Sequence, residues 1–297
     1  MKTKDKKVFQ IIGHFVMIVM SICVILPMLL LLIASFTDNN ALIRNGYSFF
    51  PAKWSLSAYQ YIFTASGAVM RAYGISIAVT AIGTMISVII TTMLAYALAR
   101  KGLPGRGLMT FLVFFTMLFN GGLVPTYMNY TSVFGIKNTF WALVVPGLMM
   151  NAFNVMMVKS YFVTGVPDEI MEAAYIDGAT EFQTFRKVAL PLAKPIIATI
   201  ALFSGITYWN DWNNGYIYLT KRTDLFSIQN LLNRMIKNIQ ALQQSANTVS
   251  TDAALMEMPS ISVRMAIANV GILPIIIIYP LIQKNFVKGI TLGGVKG

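Results

Sequence analysis

Seven consecutive residues, Tyr208-Trp209-Asn210-Asp211-Trp212-Asn213-Asn214, combine aromatic faces with amides and a carboxylate. That mixture suits a polyhydroxylated solute, because rings cover C–H surfaces while amides and carboxylates pair with hydroxyls. It suits equally an aromatic belt at a membrane boundary with hydrogen bonds between helices. Asn120, Asn151 and Asn154 lie in neighbouring apolar runs and are candidates for the same pathway, since polar groups are costly inside a membrane and mark solute routes by default. Enzymatic chemistry has no such support. No nucleophile and base come together in the sequence, and a single Cys (Cys23) and a single His (His14) exclude an internal disulfide, redox chemistry and a zinc site.

A second concentration of chemistry lies at 167–195, which holds five of the 11 acidic residues: Asp168, Glu169, Glu172, Asp177 and Glu181. The pattern predicts a helix-turn-helix. Pro167 suits the first helical position, and Asp168, Glu169 and Glu172 complement the positive end of the helix dipole. Asp177-Gly178 stops the helix where glycine can turn left-handed. Thr180 and Gln183 make a capping box for a second helix, along which Phe182, Phe185 and Val188/Ala189 recur at helical spacing. Pro191 is expected to end it. On pattern alone this could be an interfacial helix pair.

The elements that position these residues are membrane spans. Charged residues are 11% and hydrophobic residues 56% of the 297, and a soluble fold of this size could not cover its surface with so few charges. Charge-poor windows of crossing length fall at about 11–36, 74–99, 108–128, 140–158, 196–219 and 265–283. The uncharged run beginning at Val8 is too long for a secretory signal and reads as a span. Fourteen of the 23 Lys and Arg fall on one side of such a six-span layout, which places both termini in the cytoplasm. The formal charge of +12 therefore reports topology, and no basic-aromatic groove points to nucleic acid. The segment 167–195 is then cytoplasmic, while 37–73 and 220–260 are outer loops. In the first loop Ser57 is expected to cap a short helix. In the second, Ile228, Leu231, Leu232, Met235, Ile236, Ile239 and Leu242 keep amphipathic helical spacing.

Spelled out, the inner segment is EAAYIDGATEFQTFRKVALPLAKP. It resembles the EAA loop of permease subunits in ABC importers of the carbohydrate-uptake branch, through Glu172, Ala173, Ala174, Asp177, Gly178, Ala179, Phe185, Leu190, Pro191 and Pro195. PAKWSLSAYQYIF (51–63) and the terminal GITLGGVKG (289–297) resemble other parts of that family. FNGGLVPTY (119–127) resembles a subgroup that accompanies lipoprotein binding proteins and is linked to complex oligosaccharides.

The resemblance implies an all-α integral membrane protein with the type I importer permease fold, six transmembrane helices, N-in and C-in. It implies a second homologous permease subunit, two ATPase subunits, an extracellular lipoprotein solute-binding protein and surrounding membrane lipid as partners. Glu172, Ala173, Ala174, Asp177, Gly178, Phe182, Phe185 and Pro191 would couple to a cleft in the ATPase. Alanines allow close approach, Glu172 can pair with a basic residue there, and Gly178 sets the angle between the helices. No cofactor is expected in this chain: it contains no Gly-Lys dipeptide and hence no phosphate loop, so ATP and Mg would sit on the partner ATPase. The tail 293–297 would reach between the ATPase subunits, and 243–252 would probe the binding protein. A polyol or sugar phosphate is the alternative solute; a channel or secondary transporter would leave the EAA resemblance unexplained.

Overall fold

A computed structural model describes residues 3–64, 66–248 and 261–277. In chain order its helices are α1 (Thr3–Ser35), α2 (Asn39–Asn45), α3 (Ser57–Thr64), α4 (Ser66–Ala99), α5 (Arg106–Leu118), α6 (Leu123–Val133), α7 (Trp141–Val144), α8 (Ala152–Gly165), α9 (Asp168–Ile176), α10 (Glu181–Leu192), α11 (Lys194–Asn210), α12 (Asn213–Tyr218), α13 (Ile228–Thr248) and α14 (Ile261–Ile277). Among the described residues the only β pairing is an isolated bridge between Thr37 and Trp54. The tail 289–297 and residues 249–260 lie outside the described residues.

Among the described residues two helices, α1 and α4, are long and apolar enough to cross a membrane alone, and two bent pairs pass the same test jointly. The bends are physical consequences of the sequence. In the expected span 108–128, α5 and α6 meet at 117° across Phe119–Gly122, where two glycines interrupt the helical pattern and the Asn120 Oδ1 accepts the Gly122 N–H at 2.8 Å. The expected span 140–158 is not one helix: it stops at Val144 and restarts at Ala152. Pro146 disfavours helix before it, Gly147 adopts φ +70°, and the Asn151 side chain caps α8 by accepting the Asn154 N–H at 3.2 Å. The expected span 196–219 is α11 followed by the separate α12, broken at Asp211.

The chain forms two compact units, 1–69 with 232–273 and 70–231 with 274–297. In the first, the end of α1 is tied down: Ser35 Oγ lies 2.9 Å from both the Tyr59 hydroxyl and Asn269 Nδ2, and Phe36 stacks on Tyr59. The Ser55 N–H donates to the Phe36 carbonyl at 2.7 Å. Ser57 is not the cap of α3 but its first residue; Ser55 Oγ accepts the Ser57 N–H at 3.2 Å instead. The apolar body of α1 is uncovered, with none of its most apolar window buried.

The second unit holds the main core. One cluster joins Ala95 and Leu98 of α4, Val155, Val158 and Phe162 of α8, Met171 of α9 and Ala189 of α10. Another joins Val79, Leu143, Val144, Tyr208 and Leu219. Small residues let α4 and α11 approach closely, as helices in lipid require. Ser87 Oγ lies 3.2 Å from Ser204 Oγ. A Cβ on Gly83 would lie 2.5 Å from the Tyr208 ring, so only glycine fits there.

Candidate coupling hairpin and transmembrane cavity

The hairpin forms as its residues dictate, with two adjustments. Pro167 stands at the N-cap of α9, one position outside the helix. α9 ends in a turn where the Asp177 N–H donates to the Ala173 carbonyl and the Ala179 N–H to the Ala174 carbonyl, each at 3.0 Å. Gly178 takes φ +78° there, with open space around it, so glycine is required by backbone conformation and not by crowding. The capping box at Thr180 and Gln183 is present in both directions. Pro191 does not end the second helix, which continues to Leu192 before turning by 81° into α11. A π-turn at Phe185–Ala189 explains this, with the Leu190 N–H reaching back to the Phe185 carbonyl. The wider turn just before Pro191 accommodates a ring that an α-turn would push against residue i−4.

Burial divides the hairpin into two faces. Met171 is buried, Tyr175 and Phe185 are half-buried, and Ala189 is fully buried against the core. On the opposite face Glu172, Ala173, Asp177 and Gly178 are exposed, Ala174 is half-buried, and Pro191 is exposed further along. Ile176 is 87% and Phe182 62% exposed, so apolar side chains project beside an acid.

A polar cluster that the spacing alone did not reveal fastens the hairpin to the end of α4. Arg100 donates to the Tyr175 hydroxyl at 2.9 Å and lies 3.2 Å from Glu181, touching both hairpin helices at once. The Tyr96 hydroxyl donates to Glu181 at 2.8 Å, and the Tyr175 hydroxyl donates to its other oxygen. The Arg100 guanidinium sits over the Tyr96 and Tyr175 rings, and Tyr96 packs 4.9 Å from Phe185. At the start of α9, Asp168 pairs with Lys101 at 2.8 Å. Partial burial works against the Glu181 carboxylate, yet hydrogen bonds from Tyr175 and Tyr96 and the Arg100 charge outweigh it and hold its pKa below the ordinary value. Burial, followed by the bond to Glu181, pushes the Tyr175 phenol up. The hydrogen bond and charge of Lys101 likewise lower Asp168.

A depressed carboxylate pKa stabilises the attachment above the unfolded value, and that stability disappears as pH falls through the folded value. Spin labels on Lys187→Cys and Gly102→Cys are therefore expected to keep one narrow distance from pH 8 down to about 5, and to broaden only below about pH 4. Broadening between pH 8 and 6 would contradict this.

A cavity of about 630 Å³ lies between α4 and α11, lined by residues including Thr80, Thr84, Met85, Leu202, Gly205 and Trp209. Its lining is mostly aliphatic, and the Thr80 and Thr84 hydroxyls are buried without a hydrogen bond among the described residues. Of the eight candidates only Trp209 lines it; Asn120, Asn151, Asn154, Tyr208, Asn210, Asp211 and Trp212 do not. Tyr208 is 3% exposed and donates to the Val144 carbonyl at 2.9 Å. Asn214 donates to the Pro146 carbonyl at 2.9 Å. These two side chains satisfy carbonyls next to the α7–α8 break, which is how a membrane protein sustains such a break. Asp211 Oδ1 accepts the Asn213 and Asn214 N–H groups at 3.2 and 3.3 Å. Trp212 is 41% exposed and packs on Tyr216, Asn154 is buried, and Asn120 and Asn210 are exposed.

Apolar helices bent and broken within their crossings, with a polar hairpin latched to one of them, define a polytopic helical membrane protein. Comparison with known proteins narrows the class. Residues 92–292 match the family described as binding-protein-dependent transport system inner membrane component. Protein LplC of Bacillus subtilis (strain 168) is 34% identical over 295 residues, 99% of this chain and 97% of LplC. The polygalacturonan/rhamnogalacturonan transport system permease protein YtcP of the same organism is 35% identical over 294 residues, 99% of this chain and all (100%) of YtcP. A chain from the crystal structure of a bacterial ABC transporter involved in the import of the acidic polysaccharide alginate superposes with a TM-score of 0.78 at 28% identity, covering 96% of this chain and 99% of that one. The chain belongs to the family of inner membrane components of binding-protein-dependent transport systems. It is a multi-pass protein of the cytoplasmic membrane and a transport subunit, not an enzyme.

Proposed function

We propose that this chain is one permease subunit of an ATP-driven importer for a complex oligosaccharide delivered by an extracellular lipoprotein binding protein. It works with a second, homologous permease and two ATPase subunits. The observation that carries this reading is the hairpin: an acid and two projecting apolar side chains on one face, and a fixed attachment to a membrane helix on the other. Docked in an ATPase cleft through Glu172, Ala173, Ala174, Asp177, Gly178 and Phe182, it passes closure of the nucleotide subunits to α4. Phe185 and Pro191 shape its second helix. The six spans run N-in and C-in, so that the hairpin faces the ATPase. Solute class is supported by relatives: YtcP is a polygalacturonan/rhamnogalacturonan permease, and AraQ of Halalkalibacterium halodurans, 29% identical over 277 residues, is an arabinooligosaccharide permease. The cavity beside Trp209 offers few hydroxyl partners, so much of the solute site is assigned to the second permease.

The test is reconstitution with the ATPase and binding protein in liposomes. Oligosaccharides are expected to stimulate ATP hydrolysis and to accumulate only with ATP; uptake without the ATPase would overturn the proposal. Gly178→Val forces a β-branched residue into a left-handed conformation, at a cost of about 1–2 kcal/mol. It is expected to leave the complex assembled but to lower uptake per ATP hydrolysed. An unchanged ratio would remove Gly178 from the coupling role.

A further inference from the structure

A second, smaller pocket lies where α4 ends, and its chemistry differs from that of the apolar cavity. It measures about 100 Å³ and is bounded by Arg100, Lys101 and Arg106 on one side, Phe162 and Val163 of α8 on another, and Asp168 at the start of α9. Three cations thus share the lining of one cavity with the apolar side chains of Phe162, Val163, Val166 and Met171. Arg100 is engaged by Glu181 and Tyr175, and Lys101 by Asp168. Arg106 makes no hydrogen bond or ion pair through its side chain among the described residues, although its charge is felt by both Lys101 and Lys159. Lys159 itself reaches the Thr110 hydroxyl at 3.2 Å.

The charges around this point do not cancel. Of the three cations that line the pocket, Arg100 is paired with Glu181 and Lys101 with Asp168. One positive charge is left over, and it sits on Arg106. A single monoanion closes the balance. The space equals roughly three waters at ~30 Å³ each, which accommodates a phosphate group but neither a nucleotide nor a sugar. Val163 is 51% exposed at the rim, and α5, which opens with Arg106, carries Leu108 and Phe111 exposed at 64% and 57%. The pocket therefore stands at the edge of the membrane's apolar zone, with uncovered hydrocarbon beside a spare cation.

From this geometry we infer that the pocket binds the phosphodiester headgroup of an anionic membrane phospholipid. Arg106 and Lys101 hold the phosphate, and the acyl chains lie along Val163 and the first turns of α5. Basic pockets between membrane helices are suited to such headgroups, each cation near the surface adding to the attraction. Lys101 is shared, since its Asp168 partner is exposed and can release it. A phosphodiester carries the one negative charge that the balance calls for, whereas free phosphate, a mixture of mono- and dianion at neutral pH, has no acyl chain to use the rim. The inference concerns the lipid and is independent of which solute is carried.

The test uses the purified complex in detergent, exchanged into phosphatidylcholine and then exposed to dioleoylphosphatidylglycerol, with bound lipid read by native mass spectrometry. Wild type is expected to retain phosphatidylglycerol over phosphatidylcholine. Arg106→Gln is expected to lose about ten-fold in retention, the scale of one charged hydrogen bond. Arg106→Lys should keep most of it, which guards against a folding defect in the glutamine variant. Lys137→Gln, a basic residue outside the pocket, should bind as wild type. Equal retention by wild type and Arg106→Gln, or displacement of the lipid by millimolar inorganic phosphate, would overturn the assignment. The first outcome removes the site, and the second makes it a site for free anions.

Discussion

A Glu181→Lys permease is expected to assemble into a complex whose ATPase subunits still hydrolyse ATP while uptake falls close to background. The substituted ammonium would face Arg100, which now lies 3.2 Å from the carboxylate. It would also remove the acceptor for both the Tyr96 and Tyr175 hydroxyls. Glu181 is 56% exposed and Arg100 29%, so solvent screening discounts the electrostatic part, leaving about 2 kcal/mol for the attachment. That is a roughly thirty-fold shift toward a detached hairpin. Glu181→Gln keeps an acceptor for the tyrosines and should lose much less. Uptake and ATP hydrolysis measured on the same proteoliposomes decide the matter: wild-type uptake per ATP in the lysine variant would mean that force reaches α4 by another path.

Gly83→Leu is expected to destabilise the membrane core strongly. Even a bare Cβ at this position would lie 2.5 Å from two atoms of the Tyr208 ring. The ring cannot swing away freely, because it is 3% exposed and its hydroxyl holds the Val144 carbonyl. Overpacking costs about 1–3 kcal/mol for added methylenes, and here it also endangers the bond that supports the α7–α8 break. The purified variant should unfold at a lower temperature than wild type and express poorly. Gly83→Leu combined with Tyr208→Ala, which removes the obstacle, should recover part of the loss. A single variant as stable as wild type would show that α4 and α11 can separate at no cost.

These two sites also mark what could be read in the amino-acid sequence and what could not. The hairpin was legible because its signals are local: Thr180 and Gln183 are three residues apart, and Gly178 acts through its own φ. Its attachment was not, since Arg100 and Glu181 are 81 positions apart and nothing in either neighbourhood names the other. Pro146 lies inside the fourth apolar run, which composition alone reads as one span. Whether a proline bends a span or breaks it depends on who satisfies the freed carbonyls, and Tyr208 and Asn214 come from distant segments to do so. The same two residues explain why the aromatic-amide run read as a solute site: rings and amides suited to sugar hydroxyls are equally suited to backbone carbonyls. Pro191 misled for a complementary reason, as the π-turn that absorbs it has no compositional mark.

The bare length of α1 has a mechanical consequence. The helix is secured at one end, where Ser35 meets Tyr59 and Asn269, and the 30 residues of its apolar stretch, Lys6–Ser35, extend from that corner for roughly 45 Å at 1.5 Å per residue. It is a lever with its fulcrum at Ser35. A tilt of only about 5° carries the far tip by about 4 Å at that length. Whatever grips α1 along its shaft thus works with high mechanical advantage on a joint made of a few hydrogen bonds and one stacked ring pair.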